Sequence, residues 1–392
     1  MRVAWVVDGR LDQLSGGYLY DRLIVEHLLR SGTEVTVISL PTGRYAARLW
    51  RGAPSDLAER VAAVSPEFLV EDELSHPALL RADRRLRQAR PGLTRVGLVH
   101  HLRSSEPRCL PANAFYRWIE HRYLAALDEF IFNSRTTRAA VQRLGLPITS
   151  SIVAVPGADR LATSIAAEAI QARAQSAGPL RVLFLGNLIP RKGLLTLVEA
   201  VALLPRGSVD LTVAGSAEVD RRYARRVRRR VDTLRLGPVV RLVGALDGHA
   251  LRQAMLQSQV LAVPSGYEGY GMAYLEGMGY GLPPIAGAEG GASEFVRHGE
   301  NGFLVDASDA AALAVHLASL HADRLRLSRM ALAARHTHLA HPTWEETGAA
   351  IHAFLSGLAR TLLMPAGAPD PAYAGPHKPG AVLSSANRQR EP

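Results

Sequence analysis

At 392 residues, with 47% hydrophobic and 21% charged side chains, the chain is long enough for two domains with full cores and has the composition of a soluble globular protein. Its formal net charge of +10 calls for an anionic partner such as a nucleotide, a phospholipid head group or a nucleic acid. A lone cysteine, Cys109, excludes an intramolecular disulfide framework, no apolar run reaches membrane-spanning length, and the opening residues meet a charge too early for a signal-peptide core. A cytoplasmic protein is expected.

The N-terminal half alternates strand-like runs with amphipathic helical patterns. The runs are Arg2–Asp8, Glu34–Pro41, Phe68–Leu74, Arg95–His101, Glu129–Ser134 and Ser151–Pro156, with helices at Tyr18–Arg30, Pro77–Arg90 and Ala114–Leu127. Such alternation predicts a doubly wound parallel sheet, whose ligands bind beyond the carboxyl ends of the strands. There lie Gly16 and Gly17, whose amides open a helix and suit phosphate oxygens, although a plain helix cap explains them as well. His100 and His101 close the fourth run. Asp72 closes another and is a candidate for facing an acceptor. Arg44, Arg48 and Arg51 fall on one side of a helix after the second run. That helix can rest on an anionic lipid surface, or be packed on the sheet by Leu49 and Trp50 with its arginines solvated.

Residues 165–180, rich in Ala, Gln and Ser, read as a linker. A second series of runs follows: Arg181–Gly186, Val209–Gly215, Val239–Gly244, Gln259–Ser265, Pro284–Gly287 and Phe303–Asp306. After the first of these, Arg191 and Lys192 set two cations where phosphates would lie, and Lys192 is one of two lysines in an arginine-rich chain. After the fourth, a glycine loop leads into a short helix from Met272. The N–H groups of Gly269, Tyr270, Gly271 and Met272 are left without helical partners and suit phosphate. Glu276, a turn inside, can accept from a vicinal diol such as a ribose. Spacing alone leaves this even with a strand-turn-helix bearing two solvated glutamates, Glu268 and Glu276. The arginines between 221 and 230 read as a solvated helix face, and with Tyr223 alone for stacking they argue against nucleic acid.

The run Glu268-Gly-Tyr-Gly-Met, followed after three residues by Glu276-Gly-Met, resembles the Glu-x7-Glu signature of glycosyltransferase family 4, and the resemblance extends over roughly residues 1–361. It implies an α/β chain of the GT-B type, with two Rossmann-like doubly wound parallel-sheet domains facing across a cleft. The expected divisions are an acceptor-side domain 1–164, the linker, a nucleotide-sugar domain 181–342, a helix 343–362 crossing back to the first domain, and a disordered tail 365–392. It further implies a retaining, metal-independent transfer of sugar from a nucleotide-sugar donor to an acceptor left unidentified, without a cofactor. Lys192 matches the lysine that neutralises the leaving diphosphate. The arginine common after the strand glycine is here Asn187, with Arg191 as its candidate replacement. Glu268 would meet the sugar hydroxyls, and His100, with His101 as second choice, would orient the sugar. Peripheral contact with anionic membrane at the inner face fits the same picture. A nucleotide-sugar epimerase and a non-enzymatic protein binding anionic membrane or nucleic acid are the alternatives.

Overall fold

The computed structural model describes residues 1–13, 15–161 and 165–363. Runs of Val, Ile, Leu and Phe with no polar face must be covered on both sides, and they form two all-parallel sheets. The first holds β1 (Arg2–Asp8), β2 (Glu34–Leu40), β3 (Phe68–Asp72), β4 (Thr94–Val99), β5 (Glu129–Phe132) and β6 (Ser151–Val153), in the order β2-β1-β3-β4-β5-β6. The second holds β7 (Leu180–Leu185), β8 (Val209–Ala214), β9 (Val240–Gly244), β10 (Val260–Val263), β11 (Pro284–Gly287) and β12 (Phe303–Val305), in the order β12-β11-β10-β7-β8-β9. Pairing is in step along the central ladders, for example Trp5 with Val70 and Leu261 with Leu183.

Helices cover both faces of each sheet. In the first domain, Trp5, Ile24, Leu28 and Ile131 form one buried layer, and Leu69, Leu79, Leu124 and Phe132 form the other. The last helix, Trp344–Leu363, places Ile351 and Leu355 in that first layer, fully buried beside residues of the N-terminal sheet. The second domain has one large core built from β7 to β12 and their helices.

Some expectations need correction. Residues 165–180 hold the helix Ala167–Gln175, whose Ile170 and Ala174 are buried in the second domain's core; alanine and glutamine favour helix, and a linker composition conceals one apolar stripe. The helix expected over 77–90 is two, His76–Leu79 and Asp83–Ala89, with Asp83 drawn to Arg95 at 2.5 Å. On the short helix Tyr45–Arg51, Arg48 is turned inward to Asp8 at 2.7 Å and to the carbonyl of Leu74 at 2.7 Å. It therefore does not share a solvated stripe with Arg44 and Arg51. Trp50 is 81% exposed and does not pack on the sheet. The arginines of the helix Arg221–Thr233 are largely solvent-facing, while Tyr223, Val227 and Val231 are buried. The tail 365–392 lies outside the described residues.

Candidate functional site

The loops after β1, β4, β7 and β10 bound one cleft of about 470 Å³ between the two sheets. Every residue expected at a ligand site lines it except Asp72. The loops from opposite domains come close. A Cβ built on Gly16 would lie 2.7 Å from the Met272 methyl, and one on Gly269 would lie 2.1 Å from the His100 carbonyl oxygen. Only glycine at 269 lets the second domain's loop approach the end of β4 this closely.

The helix Met272–Gly279 is held rigidly under this loop. The Tyr274 hydroxyl donates to the carbonyl of Val263 at 2.6 Å, and the His338 ring nitrogen meets the Leu275 carbonyl at 2.9 Å. The amides of Gly269, Tyr270 and Gly271 have no acceptor among the described residues, so they face the cleft as free donors at a helix start.

Glu268 is buried beside Lys192 at 2.6 Å, the Ser265 hydroxyl at 2.6 Å and Arg191 at 3.4 Å. Burial alone would push its carboxyl up, but the two cations outweigh that and hold it at about 2. Burial works against the Lys192 ammonium and draws it below the ordinary lysine value, against the pull of Glu268. The result is an anion fixed between two cations, with positive charge left over for a ligand.

Glu276 meets Arg160 at 2.5 Å, and both line the cleft. A ribose diol would have to share this carboxylate with the guanidinium. Replacing Glu276 with glutamine is expected to weaken nucleotide binding by roughly tenfold, since a hydrogen bond to a charged group contributes about 1.5–3 kcal/mol. Calorimetric titration with the nucleotide checks this, and an unchanged affinity would remove Glu276 from the site.

On the opposite wall, the His100 Nε2 lies 2.9 Å from the Asp21 carboxylate and 3.9 Å from Asp72, all three buried. Burial opposes a charge on His100, yet Asp21 outweighs it and the imidazole is raised above its usual value. Asp21, Asp72 and His100 bring three ligand atoms within 4.8 Å of one another, a set that could hold a metal. His101 instead pairs with Glu106 at 3.2 Å, and burial keeps its ring below the usual histidine value.

Asp72, expected to face an acceptor, is not among the residues lining the cleft. It is fully buried, and its carboxylate accepts from the N–H of Leu74 at 3.0 Å. Burial and the nearby Asp21 push its carboxyl up to about 8. A carboxyl raised in the folded state stabilises the fold while protonated, and stability falls as pH rises from its unfolded value of 3.8 towards 8. Asp72→Asn keeps the acceptor oxygen for Leu74 and removes that dependence. Its melting temperature should exceed that of the unmodified protein at pH 8, with the gap closing towards pH 4; a lower melting temperature at pH 8 would show the carboxylate to be charged and paired.

Residues 167–337 match the family model for Glycosyl transferases group 1. That segment of the chain is a glycosyl transferases group 1 domain. The match covers β7 to β12 and therefore Lys192, Glu268 and Glu276. A GDP-mannose-dependent alpha-(1-6)-phosphatidylinositol monomannoside mannosyltransferase of Mycolicibacterium smegmatis is 31% identical over 45% of this chain and 47% of its own length. A D-inositol 3-phosphate glycosyltransferase of Pseudarthrobacter chlorophenolicus is 30% identical over 52% of this chain and 50% of its own. The chain thus spans about half the length of the curated relatives it matches. Among solved structures, sucrose-phosphate synthase from Thermosynechococcus elongatus superposes with a TM-score of 0.78 at 22% identity, over 92% of this chain and 99% of that one. Anabaena HepE in complex with UDP and glucose gives 0.72 at 20% identity, over 91% and 100%. The two-sheet architecture is the GT-B fold, with the group 1 domain as its second half.

Four features of the site were not anticipated. Arg160 and Asp21 meet their partners only through the tertiary fold, while Ser265 meets Glu268 three residues on within the loop. The apolar wall of Ala245, Leu246 and Leu251 beside Gly215 and Ser216 follows β8 and β9; the small residues ending those runs, Gly215 and Gly244, are the signal that could have pointed to it.

Proposed function

We propose that this protein is a retaining, metal-independent glycosyltransferase that moves a sugar from a nucleotide-sugar donor to an acceptor. The observation that carries this is the Glu268–Lys192–Arg191 cluster under the free amides of Gly269–Gly271, facing Glu276 across one cleft. The amides and the two cations bind the diphosphate. Glu276 takes the ribose and Glu268 the sugar hydroxyls, while His100, held by Asp21, orients the sugar from the opposite wall. As the sugar–phosphate bond breaks, negative charge grows on the leaving diphosphate, and preorganised cations stabilise that charge more than the ground state. The acceptor attacks the face the nucleotide leaves, and a phosphate oxygen takes its proton. Because the departing phosphate takes that proton, no protein general base is required.

The names of the relatives support UDP- or GDP-linked sugars as donors and a phosphoinositol-type or sugar acceptor. Peripheral contact with anionic membrane is supported by Trp50, 81% exposed between the exposed Arg44 and Arg51. No helix among the described residues is long and apolar enough to cross a membrane. Incubation with a panel of nucleotide sugars, followed by mass spectrometry for released nucleotide and sugar, tests the reading. Slow donor hydrolysis is expected, and it should survive EDTA. No turnover of any donor, or strict dependence on added magnesium or manganese, would overturn it.

A further inference from the structure

Arg103 is a cation whose guanidinium makes no hydrogen bond or salt bridge among the described residues. Its guanidinium carbon lies 4.8 Å from the ring centroids of both Tyr45 and Tyr116, and those rings meet edge to face at 5.1 Å. The charge therefore sits in an aromatic corner, attracted by two ring faces. Among the described residues no carboxylate or carbonyl accepts from this guanidinium, and its Nε is buried without a partner. A buried donor without an acceptor is unfavourable, and native proteins keep such groups where something else completes them.

The backbone beneath Arg103 is fixed independently of its side chain. The buried Glu120 carboxylate accepts from the N–H of Arg103 at 2.5 Å, the N–H of Ser104 at 3.3 Å and the Ser104 hydroxyl at 2.5 Å. Glu120 thereby spends its hydrogen bonds on the loop, and the Arg103 charge acts on it through space without a direct bond. This loop continues from His101, which lines the cleft two residues earlier. Tyr45 opens the helix that carries Trp50, and Tyr116 lies on the helix Leu110–Leu124, which leaves Leu110, Phe115 and Trp118 exposed at 86%, 48% and 60%. Arg103 thus stands between the cleft and an exposed aromatic surface.

We propose that Arg103 is the anion subsite of the acceptor and takes a phosphate group, with the acceptor hydroxyl reaching past His101 into the cleft. The planar fork of free N–H donors matches phosphate oxygens, and the preformed aromatic corner keeps the fork oriented before the ligand arrives. This deepens the glycosyltransferase reading and rests on it. The phosphate can belong to a lipid headgroup or to a soluble phosphorylated polyol.

Calorimetry with glycerol phosphate, and with glycerol as the uncharged control, tests the soluble source. Co-sedimentation with phosphatidylglycerol against phosphatidylcholine vesicles tests the lipid source. Arg103→Gln should weaken whichever phosphate binds by roughly tenfold or more. Binding of glycerol phosphate assigns a soluble acceptor. Binding confined to phosphatidylglycerol vesicles, and weakened in both Arg103→Gln and Trp118→Ala, assigns a lipid. No phosphate-dependent binding in either arm, or equal binding by the unmodified protein and Arg103→Gln, overturns the proposal. Should Arg103→Gln melt early, Arg103→Lys carries the same test, because losing the fork alone should weaken phosphate severalfold. Nucleotide binding is measured in parallel. An unmodified protein that binds no nucleotide counts against the glycosyltransferase reading and not against Arg103.

Discussion

Lys192→Ala is expected to lower turnover by roughly two to three orders of magnitude, the loss seen when one preorganised donor to a developing negative charge is removed. The lysine stands 2.6 Å from Glu268 inside the cleft, at the mouth of β7 where a diphosphate would lie. Because the charge it meets grows as the leaving group departs, kcat should fall further than donor affinity. Folding should suffer less. Glu268 keeps Arg191 at 3.4 Å and the Ser265 hydroxyl at 2.6 Å, so the buried carboxylate is not left without partners, and a loss of about 1–3 kcal/mol is expected. The acid limb of stability reports the same change. A carboxyl held at about 2 contributes stability that is complete above its unfolded value of 4.5 and lost as pH falls towards 2. Removing Lys192 takes away a cation that depresses it, so Lys192→Ala should begin to lose stability at a higher pH than the unmodified protein. Steady-state kinetics on the donor found by the screen, with melts from pH 2 to 7, decide the matter. A kcat within about threefold of the unmodified enzyme, far short of the loss expected for such a donor, would take Lys192 out of the reaction.

Much of the fold was legible because parallel strands covered on both faces leave uninterrupted apolar runs, and most of the runs in this chain end in a small or polar residue. The cleft was legible for a related reason: short-range chemistry such as Gly269-Tyr-Gly271 before a helix, or Arg191-Lys192 after a strand, is written within a few residues. What escaped was pairing over long separations. Arg160 reaches Glu276 across 116 positions and His100 reaches Asp21 across 79, and neither arginine nor aspartate carries a local sign of its partner. Asp72 shows the opposite failure. Its place at the end of β3 pointed to ligand, yet the turn after it folds over the carboxylate and buries it. Arg48 was misread because helical spacing fixes which residues share a side but not whether a neighbour such as Asp8 draws one of them inward. Arg103 carries no sequence signal, since its aromatic corner is assembled from two helices far apart in the chain.

Ending the chain at Pro342, which removes the final helix, is expected to leave a protein that aggregates or exposes apolar surface. Ending it after Leu363 serves as the control and should leave solubility and nucleotide binding unchanged. The helix Trp344–Leu363 follows the second domain but is built into the first. Thr347 donates to the carbonyl of Val155 at 2.8 Å, and the N–H of Trp344 donates to Asp159 at 2.8 Å. Ile351 and Leu355 are fully buried with Trp5, Ile24 and Leu28. Each such side chain contributes about 1.5–3 kcal/mol through burial. With the half-buried Phe354 and Leu358 packed on the same layer, the loss approaches the 5–15 kcal/mol, roughly, by which a typical domain is stable. The exposed face of the N-terminal sheet would also be a continuous apolar patch, which invites association. Size-exclusion chromatography and binding of a hydrophobic dye read out both effects. Ile351→Asp with Leu355→Asp should reproduce them in a full-length chain, separating lost packing from lost length. If the chain ending at Pro342 stayed monomeric and still bound nucleotide as tightly as the control, the helix would be an appendage, and the first domain would owe its stability to its own two layers alone.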